Sequence, residues 1–197
     1  MKSSLNDPLI DSTGRSGDPA AYARVVQEAG LVVLTEPDIA KAHQLAQTLI
    51  GGPMAPLSTY LAVQQLVKAA IFGIFEKNQL TGALASFPVN AEGLTQLESG
   101  DFNARDLDLS LLSPPGAAPS AYYGWGFAGA TKRAAGAVVL ASRALHRRLF
   151  WAIPTFARAV TPAGLRAVQA IGFRPVSDGP DGLVRIEPFS FAPGAAA

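Results

Sequence analysis

The chain contains no cysteine, which excludes disulfide bridges, thiolate metal sites and a cysteine nucleophile. Histidine is nearly as scarce. His43 and His146 are the whole supply; they form no metal-ligand pattern, so no metal is expected, and without a G-x-S-x-G elbow a serine triad has no frame. No apolar run is long enough to span a bilayer. The polar opening MKSSLNDPLIDSTGRSGDP has no signal-peptide core, so the expectation is a soluble, cytoplasmic protein. The most informative shortage is of negative charge. From Leu109 to Ser177 there is no Asp or Glu, while Lys132, Arg133, Arg143, Arg147, Arg148, Arg158, Arg166 and Arg174 all fall there. Twelve of the fifteen acids precede that stretch, and the overall net charge is only +1. An acid-free basic segment suits a polyanionic ligand, either a phosphorylated cofactor or a nucleic acid. Solvation of helix faces accounts for some of the arginines without accounting for the missing acids.

With 197 residues, 49% hydrophobic and 16% charged, the sequence is that of an ordered chain able to bury a core in one domain. Residues 1–18 read as a flexible or surface-hugging arm, 19–192 as a single domain and 193–197 as a frayed tail. Pro19 opens a short helix capped by Asp18. GLVVLTE (30–36) reads as a strand, and Asp38 caps a helix that Gly51-Gly52 ends. LSTYLAVQQLVKAA is a second helical run. IFGIFEKNQLTGALASFPV (71–89) reads as two strands around a turn at Lys77-Asn78-Gln79. A short helix, AEGLTQLESG, precedes a long loop over 101–119, partly extended through LDLSLL. Strand 120–127, a helix over about 130–148, strand 149–157, a helix with Thr161 as N-cap, and a terminal hairpin around Asp178-Gly-Pro-Asp-Gly follow. This order predicts an α/β fold of the α+β type: a mixed, largely antiparallel central sheet flanked by helices.

Gly124-Trp125-Gly126-Phe127-Ala128-Gly129 matches G-x-G-x-x-G between a predicted strand and a predicted helix, the context of a dinucleotide-binding turn. That fold needs an acid about 20 positions on for the ribose hydroxyls, and the next acid is Asp178. A few residues later, Arg133-Ala134-Ala135-Gly136-Ala137 fits most of R-x-x-G-x-G/A, with Val138 in place of the last small residue. This segment and its surroundings resemble the GNAT superfamily of acyl-CoA-dependent N-acyltransferases. EKNQLTGALAS looks like the family's second and third strands, with Gly82 at a family glycine. TPAGLRAVQAIGF looks like its late helix, N-x-x-A-x-x-L-Y-x-x-x-G-F. Thr161 stands in place of Asn and Gly164 in place of Ala. Val168 stands where many members carry a tyrosine that protonates the departing thiolate.

The resemblance implies transfer of an acetyl or other acyl group from acyl-CoA to a small-molecule or protein amine; a homodimer is a candidate assembly. It implies that backbone amides at the start of the 130–148 helix hold the CoA pyrophosphate, with Lys132, Arg133, Ala135, Gly136 and Ala137 around it, and that Thr161 contributes. The acyl-pantetheine arm would run past Trp125, Gly126 and Phe127, where a backbone amide polarises the thioester carbonyl. Tyr122 and Tyr123 are strand neighbours facing opposite sides, and either is a candidate catalytic group, as is Glu76 as base. Asp101, Asp106 and Asp108 form a candidate acidic pocket for a cationic amine. Three alternatives stand beside this reading: a degenerate GNAT-like binding domain, motivated by Val168, a nucleic-acid-binding module and a dinucleotide-binding oxidoreductase.

Overall fold

The structure, a computed structural model, describes residues 11–177, 179–180 and 182–189. In chain order the elements are α1 (Pro19–Gln27), β1 (Val32–Val33), α2 (Glu36–Ile50), α3 (Leu57–Val67), β2 (Ile71–Glu76), β3 (Gln79–Val89), α4 (Ala91–Ser99), a 3-10 turn (Leu109–Leu111), β4 (Ala121–Gly129), α5 (Lys132–Leu149), β5 (Thr155–Arg158), α6 (Pro162–Ile171), β6 (Arg174–Pro175) and β7 (Leu183–Ile186). The sheet order is β1-β2-β3-β4-β5-β7-β6. Every neighbouring pair is antiparallel except β4 and β5. The expected mixed, largely antiparallel sheet flanked by helices is what forms.

Local chemistry explains most of the boundaries. The Asp18 carboxylate accepts from Ala20 N at 2.9 Å and caps α1, with Pro19 in the first turn. The β2–β3 hairpin turns on Lys77 (φ 50°) and Asn78 (φ 63°), the paired positive angles of a two-residue hairpin turn. Thr161 Oγ1 accepts from Gly164 N at 2.9 Å and starts α6. Helices α1 and α5 pack together on one face of the sheet, while α2, α3 and α4 cover the other. The main core fills both faces, with Phe72, Phe87, Phe150, Phe156, Leu84 and Leu145 fully buried.

Three expectations are corrected. The segment 149–157 is not one strand. Leu149 ends the buried stripe Val138, Ala141, Leu145 and Leu149, so it stays helical, and the strand starts only at Thr155, after Pro154. Helix α2 begins before Asp38: Thr35 is its N-cap and Asp38 lies in the first turn. There the Lys41 and Thr35 side chains hydrogen-bond its carboxylate and hold it below the usual range. LDLSLL is not extended but winds into the 3-10 turn, capped by Asp108, whose carboxylate accepts from Ser110 N. Of the two forms considered for the arm, residues 11–18 take the surface-hugging one. Asp11 N and Ser16 N donate to the carbonyls of Arg148 and Leu149, and the Trp151 indole donates to Asp11 O at 3.0 Å. Residues 1–10, Asp178, Asp181 and the 193–197 tail lie outside the described residues.

His146 is buried. Its Nδ1 lies 2.9 Å from Thr155 Oγ1, and Nε2 has no hydrogen-bond partner among the described residues. Burial, with a smaller contribution from Arg147, pushes the imidazole down to about 4. Unfolded histidine takes up its proton near pH 6.5, so between there and about pH 4 the unfolded chain binds the extra proton. Stability is therefore expected to fall as pH drops through that window, by on the order of 3 kcal/mol at its lower end. Chemical denaturation of the wild type and of His146→Gln at pH 7 and pH 4.5 checks this: the variant should lose less stability on acidification.

Candidate functional site

Strand β4 pairs with β3 along its whole length, from Val89↔Ala121 to Gly82↔Gly129. Its pairing with β5 is far shorter, covering only Tyr122↔Thr155, Tyr123↔Phe156 and Gly124↔Ala157. Beyond Gly124 the two parallel strands part, leaving the β5 side of Trp125–Gly129 as an open edge with unpaired backbone donors and acceptors. A bulge marks the point of departure. Ala85 pairs with Gly126 and Ser86 with Gly124, so Trp125 is the extra residue, and a bulge of this kind bends a strand and re-aims its groups. The resulting cleft has a volume of about 450 Å³. Trp125, Gly126 and Phe127 wall it on one side, and Arg158, Ala159, Val160, Thr161, Gly164 and Val168 on the other.

The whole G-x-G-x-x-G run lies inside β4. These glycines form a bulged strand, not the strand-to-helix turn of a dinucleotide site, and this removes the context that made the motif suggestive. Gly129 has a different task. A Cβ there would sit 2.5 Å from Ala135 N and 2.6 Å from Ala135 Cα, so its absence lets the first turn of α5 lie directly on the strand.

At the start of α5, Thr131 Oγ1 accepts from Ala134 N at 3.0 Å. The remaining first-turn amides, those of Lys132 and Arg133, have no intrahelical acceptor, as at any helix start. Together with the helix dipole they favour an anion. Lys132, Arg133, Ala135 and Gly136 are exposed there, and space around Gly136 is open, with nothing within 4 Å of where a Cβ would stand. Ala137 turns inward and is buried, so its side chain packs the core. The α5 start thus presents free amides and two cations next to the far end of β4, with the Glu76 carboxylate beside them.

The structure separates the candidate catalytic groups. Tyr122 faces α1 and α5, stacking on Phe150 at 3.9 Å, with its hydroxyl 2.7 Å from Ser86 Oγ; it does not reach the cleft. Glu76 lies at the start of α5, accepting from Thr131 Oγ1 at 3.3 Å and 3.9 Å from Arg133 Nε. It is likewise absent from the cleft wall. Tyr123 points the other way and lines the cleft. Burial pushes its phenol up to about 12, with Arg158 pulling slightly down.

Tyr60 of α3 went unnoticed in the sequence. It lines the same cleft and stacks on Trp125 at 3.9 Å. Burial, and then the neighbouring Tyr123, push its phenol up to about 12 as well. Both phenols therefore stay protonated through the neutral range. In the sequence Tyr60 sits in an ordinary apolar helical run, and only the chain's folding around Trp125 gives it a neighbour of interest. Val168 does line the cleft, so the position that resembles the family's tyrosine faces the site without a hydroxyl. The Asp101, Asp106 and Asp108 group does not line it: Asp101 accepts from Ser99 Oγ at 2.7 Å and Asp108 caps its turn.

No family model matches the sequence, and no curated protein sequence matches it. Solved structures are similar in fold. The mixed sheet and the β4–α5–β5–α6 order agree with the fold that the sequence resemblance to the GNAT superfamily implies. The ribosomal-protein-S18-alanine N-acetyltransferase from Escherichia coli is similar at 13% identity, over 85% of this chain and 97% of that one, with a TM-score of 0.47. A ribosomal-protein-alanine N-acetyltransferase from Brucella melitensis is similar at 12% identity, over 79% and 96%, with a TM-score of 0.45. An N-acetyltransferase from Bacillus subtilis, solved in complex with coenzyme A, is similar at 13% identity, over 67% and 80%, with a TM-score of 0.39. Among the described residues no helix is long and apolar enough to cross a membrane.

Proposed function

We propose that this GNAT-like chain is a soluble, cytoplasmic N-acyltransferase that moves an acetyl or other acyl group from acyl-CoA to an amine. The observation that carries the proposal is the parting of β4 and β5 at the Trp125 bulge. It opens a cleft walled by the β4 edge and the start of α6; the capped start of α5 lies against β4 at Gly129, outside the cleft wall. The amides of Lys132 and Arg133, with both side-chain cations, hold the diphosphate, and Gly136 leaves it room. The edge of β4 pairs with the extended arm much as a strand would. A backbone amide at Trp125–Phe127 polarises the thioester carbonyl as the amine nitrogen attacks. The C–N bond forms, the C–S bond breaks, and the nitrogen gives up its extra proton.

The leaving thiolate needs a proton donor, and Val168 supplies none. Tyr123 and Tyr60, both protonated at neutral pH and both on the cleft wall, take that role in this proposal. Among the described residues no carboxylate lines the cleft, so the amine's proton passes to solvent rather than to Glu76. Tyr123→Phe is expected to lower kcat about tenfold with acetyl-CoA affinity unchanged. Tyr122→Phe, by contrast, should cost about 1 kcal/mol of stability and leave kcat untouched.

Val168 also motivates a second reading, a domain that binds acyl-CoA without transferring the acyl group. Release of CoA thiol from acetyl-CoA in the presence of a broad amine panel separates the two. Amine-dependent release establishes the enzyme. Saturable acetyl-CoA binding with no release across the panel establishes the binding domain.

A further inference from the structure

The acceptor side of the cleft carries a charge pattern that narrows the substrate. Arg105 and Arg158 are the charged residues on the cleft wall, and Asp and Glu are absent from it among the described residues. Each guanidinium is exposed, and neither has an ion-pair partner among the described residues. Cations left unpaired in a concave, partly apolar site raise the local concentration of anions. The placement of Arg105 is built, not incidental. The Trp125 indole donates to Ala104 O at 2.9 Å, tying the loop to the bulge residue of β4. Asn103 Oδ1 accepts from Arg105 N at 3.1 Å and from Asp106 N at 3.3 Å, fixing the turn that presents Arg105.

Arg158 reaches the site from the other strand. It ends β5, lines the same cleft as Tyr123, and its charge is felt by the Tyr123 phenol. Arg105 therefore reaches the cleft from the loop tied to Trp125, and Arg158 from the wall that faces it. The proposed diphosphate site at Lys132 and Arg133 lies on a different element, α5. Guanidinium groups pair with carboxylates and phosphates through two parallel N–H bonds, whereas an ammonium group finds nothing there to neutralise it.

We propose that the acceptor is an amine that also carries an anionic group, a carboxylate or a phosphate, which Arg105 and Arg158 hold while the amine faces the Trp125 bulge. Purely cationic amines are disfavoured. The proposal rests on the acyltransferase reading and adds the substrate class to it.

Matched amines that differ only in the anionic group test it: β-alanine against β-alaninamide, and O-phosphoethanolamine against ethanolamine, with spermidine as the cationic extreme. With acetyl-CoA as donor, at least one anionic member is expected to exceed its neutral partner in kcat/KM by about tenfold or more. That ratio should shrink to within about threefold in Arg158→Gln and Arg105→Gln, while acetyl-CoA Kd stays within about twofold of wild type. In parallel, the N-acetyl products of the same pairs are titrated calorimetrically into the CoA-saturated protein, a readout that does not require turnover, and the anionic products should bind more tightly. Preference for a neutral amine or for spermidine, a ratio that survives both substitutions, or equal binding of the charged and neutral products each overturns the proposal. So does a loss of acetyl-CoA affinity in the arginine variants, which would assign them to the donor's phosphates. A wild-type protein that does not bind acetyl-CoA at all overturns the acyltransferase reading itself, and that titration is read before any acceptor is added.

Discussion

Gly129→Ala is expected to lower stability by about 2 kcal/mol, a drop of about 1 M in the urea midpoint, and to weaken acetyl-CoA binding along with it. The added Cβ would lie 2.5, 2.6 and 2.8 Å from the N, Cα and Cβ of Ala135. All three atoms belong to the backbone of α5 or are fixed directly to it, so no change of rotamer relieves the overlap. The helix start has to lift off β4. Gly82 on β3 bounds the same contact from the neighbouring strand, where a Cβ would meet Ala134 Cβ at 3.0 Å. Small residues on two strands thus set how closely the amide-bearing end of α5 approaches the open edge of the sheet. Equilibrium denaturation gives the stability arm of the prediction, and calorimetry the binding arm.

Gly136→Ala carries the opposite sign in its two readouts. Gly136 lies inside α5 with open space around it, and its φ is not among the positive values. Alanine is the better helix former by about 1 kcal/mol, so thermal and urea stability should rise by up to that amount. The same methyl group projects into the space assigned to the diphosphate. Acetyl-CoA affinity is therefore expected to fall about tenfold, equivalent to about 1.4 kcal/mol. A variant that gains stability and keeps full affinity would mean that the start of α5 does not hold the phosphates. A variant that loses both would mean that Gly136 has a packing role that its surroundings do not show.

The sequence spoke most clearly where a rule of local chemistry had one outcome. Asp18-Pro19, Lys77-Asn78 and Thr161-Pro162 marked element ends because caps, paired positive φ angles and an N1 proline leave few alternatives. It spoke less clearly around 149–157, where an aromatic and β-branched run looked like a strand. There, the helical stripe that ends in Leu149 outweighed local preference. The glycine run misled for a related reason. G-x-G-x-x-G describes residue types, while the difference between a turn and a bulged strand depends on the register of β4 against β3, which no local pattern encodes. The acid-free basic segment gave a true composition but an indirect meaning. Its cations disperse: Arg148 pairs with Glu28 at 2.7 Å, Arg133 lies 3.9 Å from Glu76, and Arg158 enters the cleft. Tyr60 and Arg105 were invisible because their significance comes entirely from which elements the topology brings to Trp125.

Isothermal titration of the wild-type chain with acetyl-CoA tests the central claim most directly. The parted strands and the helix start predict saturable one-to-one binding with a Kd of about 100 µM or tighter. Absence of any binding heat or thermal stabilisation at millimolar acetyl-CoA would contradict the claim.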